Sequence, residues 1–226
     1  MPLPRLHLDP WPGGDPSVEI FVGDAPVLWL GGDGADEAEA WLAPLRRELE
    51  GERRLFAAAP RFLATPTEPP GNPWAWRPHE ASPLRWDDEG CDRLEDLPGR
   101  PERFGGLVLA GALTLRDDFS VRALLIQIAP LLAEDAPFLA VERNGRYVGA
   151  VMRSFRAETT VRSVEELRRL LEVSGLGLEG AFGVPGSGRG LLRRASADAG
   201  ARWLAIRGRR ALREGKLPTG RARWTP

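Results

Sequence analysis

Residues 27–42, VLWLGGDGADEAEAWL, run an apolar stretch into a glycine cluster and straight on into a helical pattern. Pro26 and the Gly31–Gly32 pair bound VLWL, the form taken by a strand buried on both faces of a parallel sheet. Ala38, Trp41, Leu42, Leu45 and Leu49 then recur at helical spacing, with acids at the front of the run and arginines at its back, as a helix dipole prefers. Pro44 falls inside that run and predicts a kink or a late start. Such a unit needs helices on both faces of its sheet. In α/β proteins its glycine turn is where a nucleotide-type ligand reaches the backbone.

The alternation continues along the chain. RLFAAAP (54–60) and LRW (84–86) read as short strands, GGLVLAGALTL (105–115) as the clearest buried strand, and PFLAVER (137–143) as another. Between the last two, Val121, Leu124, Leu125, Ile128 and Leu132 fall on one helical face. SVEELRRLLEVSG (163–175) is a punctuated helix, with Ser163 and Glu166 forming a capping box and Gly175 ending it. GLEGAFGVP and RWLAIRGR (202–209) read as a closing antiparallel pair, because no long helix separates them. The pattern predicts an α/β fold with a mainly parallel sheet. Prolines make residues 1–24 an N-terminal arm before a domain at 25–210, with SVEIFVG in the arm either a strand or a single helical turn. Clustered prolines between 66 and 83 forbid a continuous helix there, and 211–226 form a basic tail.

Several chemistries are excluded. Cys91 is the single cysteine, so it forms no internal disulfide, and its acidic neighbours EGCDRLED disfavour a reactive thiolate. His7 and His79 lie far apart in proline-rich segments, so no metal site is expected. No Gly-x-Ser-x-Gly elbow follows a strand, which leaves a serine triad without its nucleophile; GSGRG (186–190) reads as a loop. A formal net charge of −1 gives no field to draw in nucleic acid or an anionic membrane. No apolar run reaches the roughly 18 residues of a membrane span, and MPLPRLHLDPWPGG lacks a leader-like apolar core, so a cytoplasmic location is expected.

RFGGLVLAGALTLRDDFSVRALLIQIAPLLAEDAPFLAVE resembles the fourth strand, following helix and fifth strand of the class I methyltransferases that bind S-adenosylmethionine (SAM). SVEELRRLLEVSGL resembles the next helix of that family, and EDLP (95–98) its acidic turn before the fourth strand. The likeness spans residues 25–210 and implies a Rossmann-like class I methyltransferase fold, with about seven strands in a mainly parallel sheet and an antiparallel closing strand. It also implies SAM contacts at Gly31, Gly32, Asp33 and Gly34, and an adenine contact from Asp88 or Asp96.

The chain departs from the family at those contacts. Where the family has an acid and then Gly-x-Gly-x-Gly, this sequence has Trp29, Gly31, Asp33 and Ala35. A SAM carboxylate would meet Asp33, a like charge costing on the order of 1 kcal/mol at a wet surface. Trp29 reads as a core-filling aromatic. The family's second strand ends in a carboxylate that holds both ribose hydroxyls, and here it ends in Ala58, Ala59 and Pro60. The expectation is therefore a pseudoenzyme: a methyltransferase-fold protein with a degraded SAM site, no catalytic residue and no cofactor, working as a binding or scaffold subunit for a protein partner. The alternative is a divergent active SAM-dependent methyltransferase acting on a small molecule, which would keep SAM.

Two further segments bear on partners. PPGNPWAWRPHE (69–80) brings Trp74, Trp76, Arg77 and His79 close together, either as cover for sheet left bare by the missing helix or as a ligand or partner anchor. The arginines of 189–223 can act as a strip for nucleic acid or an acidic partner, or simply as a solvated face and tail.

Overall fold

The computed structural model describes residues 8–10, 16, 18–31, 36–62, 84–87, 104–114, 118–145, 147, 161–184 and 201–211. In chain order the strands and helices are β1 (Asp9–Pro10), β2 (Val27–Gly31), α1 (Asp36–Gly51), β3 (Leu55–Phe62), β4 (Leu84–Asp87), β5 (Gly106–Ala110), α2 (Asp118–Ile128), β6 (Pro137–Arg143), α3 (Val164–Val173), β7 (Leu176–Val184) and β8 (Trp203–Arg210). Val18–Ile20, within SVEIFVG, forms a short 3-10 turn.

All eight strands join one sheet in the order β1-β7-β8-β6-β5-β2-β3-β4. The pairs β2–β3, β2–β5, β5–β6 and β1–β7 are parallel. β8 runs antiparallel to both β6 and β7, as its place after β7 predicts. Two expectations need correction. The eighth strand comes from the proline-rich arm, where Asp9 and Pro10 pair with Phe182 and Gly183. β4 is also antiparallel, lying against Ala59–Phe62 of β3. A parallel neighbour would need a crossover, usually helical, and the prolines of 66–83 cannot supply a helix.

β5 is central and buried along its whole length, between β2 and β6. Alternation along the strands divides the core into two layers. Leu28, Leu30, Leu107 and Leu109 pack with Leu124, Leu125 and Ile128 of α2 and with Leu167 and Leu171 of α3. Val27, Trp29, Val108 and Val141 point to the other face and pack with Leu42, Leu45 and Leu49 of α1. Each such leucine contributes roughly 1.5–3 kcal/mol by leaving water. The helical spacings read from the sequence are buried stripes at Ala38, Leu42, Leu45 and Leu49 and at Val121, Leu124, Leu125 and Ile128, while Trp41 is half-buried and Leu132 is buried in an extended conformation beyond the end of α2. α1 runs without interruption through Pro44.

Local signals set the ends of several elements. The Ser163 hydroxyl accepts from the Glu166 N–H at 3.4 Å, and the Glu166 carboxylate accepts from the Ser163 N–H at 2.7 Å. Gly175 closes α3 with a φ of +83°, which glycine adopts without Cβ strain. β5 stops at Ala110 because Gly111 turns to a φ of +66°.

Candidate functional site

The strand order turns round between β2 and β5. β2 leads outward to β3 and β4, while β5 leads the other way to β6, β8 and β7. In open α/β sheets, ligands bind at the carboxyl ends of the strands flanking such a switch point. Here those ends are Gly31 and Ala110, paired in register.

Gly31 is half-buried, and a Cβ placed on it would come within 2.9 Å of Glu39 Oε1. The carboxylate of Glu39, from the first turn of α1, thus occupies the space over the first glycine of the loop. Glu39 also faces Arg46 at 3.8 Å, with both side chains more than a third exposed, so that pair is worth little. Arg46 lies over the Trp29 ring at 5.7 Å and bonds Glu50 at 3.1 Å. Trp29 is 2% exposed in the α1 layer, and its indole N–H finds no acceptor among the described residues. At the position where the family carries an acid, this chain has a core aromatic.

The other wall of the switch point is the loop leaving β5. The Gly111 N–H donates to the Val141 carbonyl at 2.8 Å, and the Thr114 N–H to the Gly111 carbonyl at 3.3 Å. Glu142, at the end of β6, reaches this loop from below. Its carboxylate accepts from the Leu113 N–H at 3.0 Å and from the Thr114 hydroxyl at 2.6 Å. Burial pushes that carboxyl up to about 7, while the Thr114 and Leu113 hydrogen bonds and the Arg162 charge pull it down. Arg162, itself 4% exposed, donates to the Leu113 carbonyl at 2.8 Å and pairs with Asp118 of α2 at 2.7 Å. Asn144 anchors the approach to β8 through Ala201 at 2.8 Å and Arg202 at 3.0 Å. These groups support one another internally and fix the loop's backbone.

At the end of β3 the backbone stays in the sheet past Ala58 and Ala59, where the family's ribose carboxylate would sit, and Asp87 of β4 stands in register opposite Ala59. Of the loop, adenine and tryptophan-segment positions read from sequence, Gly31 alone is described. Gly32, Asp33, Gly34, Asp88, Asp96, Trp74, Trp76, Arg77 and His79 lie outside the described residues. Within the arginine strip, Arg207 and Arg209 pair with Glu179 at 3.5 and 2.9 Å. Arg210 is buried and donates to the Leu132 carbonyl.

Sequence reasoning missed Glu39, Glu142 and Arg162. Glu142 carried a signal, a lone acid directly after the apolar run PFLAV. Among the described residues no helix is long and apolar enough to cross a membrane, and no group of three or more His, Cys, Asp or Glu could hold a metal ion.

A SAM-dependent methyltransferase from Methanosarcina mazei has a similar structure, with a TM-score of 0.50 and 12% identity over 86% of this chain and 97% of that one. The fold is class I methyltransferase-like. A SAM-dependent methyltransferase of Thermotoga maritima aligns with a TM-score of 0.46 and 12% identity, covering 86% of each chain. The 1,6-didemethyltoxoflavin-N1-methyltransferase of Burkholderia thailandensis, solved with S-adenosylhomocysteine, aligns at 0.44 with 18% identity over 83% of this chain and 72% of that one. No protein-family model and no curated protein matches the sequence.

Proposed function

We propose that this methyltransferase-fold chain is a non-catalytic binding or scaffold subunit whose SAM crevice is degraded. The observation that carries this reading is the Glu39 carboxylate over Gly31. A SAM carboxylate approaching that glycine would meet Glu39, with Asp33 two residues further along the loop. Trp29 in the core adds to it, since no acid remains at the strand end to meet the ligand. The partner is a protein, for which the tryptophan- and arginine-bearing segment 69–80 supplies residue types that dominate interface hot spots.

One observation favours a second reading, an active SAM-dependent methyltransferase acting on a small molecule. Asp87 stands opposite Ala59, so an acidic residue does occupy the strand end where the family holds the ribose, on the neighbouring strand.

Isothermal titration with SAM and with S-adenosylhomocysteine separates the two. The scaffold reading expects no saturable heat. Micromolar binding by the unmodified protein that is lost in Asp87→Ala would overturn it and establish the alternative.

A further inference from the structure

The two ends of the sheet are built differently. At one end β1 is two residues long and includes Pro10, which has no N–H for a further strand. Its neighbour β7 carries a register irregularity between Leu178 and Gly180, and the exposed Glu179 there pairs with Arg209 at 2.9 Å. Short strands, prolines, bulges and charges are devices that keep an edge from pairing with another chain. At the other end β4 pairs with β3 through consecutive residues without irregularity, and Leu84–Asp87 contains no proline or glycine. Among the described residues no strand lies on the outer side of β4. We propose that β4 pairs with β4 of a second copy of this chain, joining the two sheets edge to edge in an antiparallel dimer centred on Trp86.

Self-pairing leaves few registers. In an antiparallel pair, opposite residues both turn their backbone groups toward the partner or both turn them away, and successive residues alternate. A residue of β4 can therefore face its own copy or a residue an even number of positions away. Centring on Arg85 sets two arginines opposite each other, and centring on Asp87 sets two aspartates. Centring on Leu84 brings Pro83 opposite Arg85, a proline that cannot donate to the ladder. Centring on Trp86 sets Arg85 of each copy opposite Asp87 of the other, and the two tryptophans opposite each other. Opposite charges and aromatic pairs across strands each contribute roughly 0.2–1 kcal/mol, whereas like charges destabilise.

The pairing of β4 with β3 favours the same register. Pro60 stands opposite Trp86 and has no N–H to give it, so Trp86 is the residue whose own N–H and carbonyl turn to the outer edge. Trp86 of the second copy takes both. Arg85 and Asp87 then fall at the non-hydrogen-bonded positions of the new ladder, where side chains approach more closely. Arg85 also stands opposite Arg61 of β3, a like-charge pairing. In the dimer, Asp87 of the second copy comes to the other side of Arg85 and supplies that pairing with an anion.

β4 is four residues long, so the contact is small and belongs with weak interfaces, with a Kd on the order of 10–100 µM. Sedimentation equilibrium of the full chain, across concentrations bracketing that value, tests it. The unmodified protein should pass from monomer to dimer. Asp87→Arg and Arg85→Asp should each weaken the dimer by about tenfold or more, and the two together should restore it, because the reversed pair is complementary again. An unmodified protein that stays monomeric, or a dimer indifferent to the single reversals, would overturn the proposal. Should the reversals fail to fold, cysteine cross-linking in a Cys91→Ser background decides. Trp86→Cys meets its own copy at a distance a disulfide spans and should give a covalent dimer on mild oxidation, while Leu84→Cys should not. Cross-linking at both positions or at neither refutes the register.

Discussion

Replacing Glu142 by Gln tests the buried carboxyl through global stability. The folded-state value of about 7 lies above the unfolded value of 4.5. The folded chain therefore binds the proton more tightly. The resulting stabilisation is complete below 4.5, is lost as pH climbs toward 7, and changes no further above that. At about 1.4 kcal/mol per unit the full loss is about 3 kcal/mol, of which about 2–3 kcal/mol falls between pH 5 and pH 8. Other carboxylates titrate in the same range, so the informative quantity is the difference between wild type and variant. Urea unfolding followed by tryptophan fluorescence gives it at each pH. Relative to Glu142→Gln, the wild type should weaken by that amount from the lower to the higher pH, with unchanged denaturant slope. A difference that stays constant within about 0.5 kcal/mol would refute the reasoning.

Leu109→Ala empties a fully buried site in the central strand and should cost about 3–4 kcal/mol by the same denaturation assay; less than about 1 kcal/mol would mean that β5 is not central. Gly31→Ala should fold normally and change stability by less than about 1 kcal/mol, because the atom in the way ends a long side chain that can turn aside by a few tenths of an ångström while its charge stays beside the glycine, and a large loss would mean that Glu39 cannot give way. Ser163→Ala removes the α3 cap and should cost about 1 kcal/mol, with Ser163→Asp recovering most of it in thermal melts.

The parts of the fold that could be read in advance are those with a one-dimensional signature. LVLA is a continuous apolar run bounded by glycines, and a strand of that kind has only the sheet centre to go to. Ser163, Glu166 and Gly175 mark helix ends by local hydrogen bonding that needs no tertiary knowledge. The direction of β4 was not readable, because LRWD is four residues long and carries no sense of orientation. β1 was hidden because Asp-Pro has poor strand propensity and is held by its partner strand. At the site, the loss of glycines and acids from the loop is visible in the letters. That Glu39 turns back over Gly31 is not, since it depends on where the helix starts. The hydrogen bonds of Leu113 and Thr114 to Glu142 join residues 29 and 28 positions apart, and only the strand order brings them together.

The most direct measurement of the central claim follows the backbone amides of Gly31 and Ala110 by nitrogen-15 NMR during titration with S-adenosylhomocysteine. Two proteins are compared: the unmodified chain, and one carrying Asp33→Gly, Ala35→Gly, Glu39→Ala and Ala59→Asp together. The account predicts that both amides stay still in the unmodified protein up to millimolar ligand and shift in the repaired one. Saturable shifts of Gly31 and Ala110 in the unmodified protein at micromolar ligand would contradict it, because the crevice would then still hold the cofactor despite Glu39.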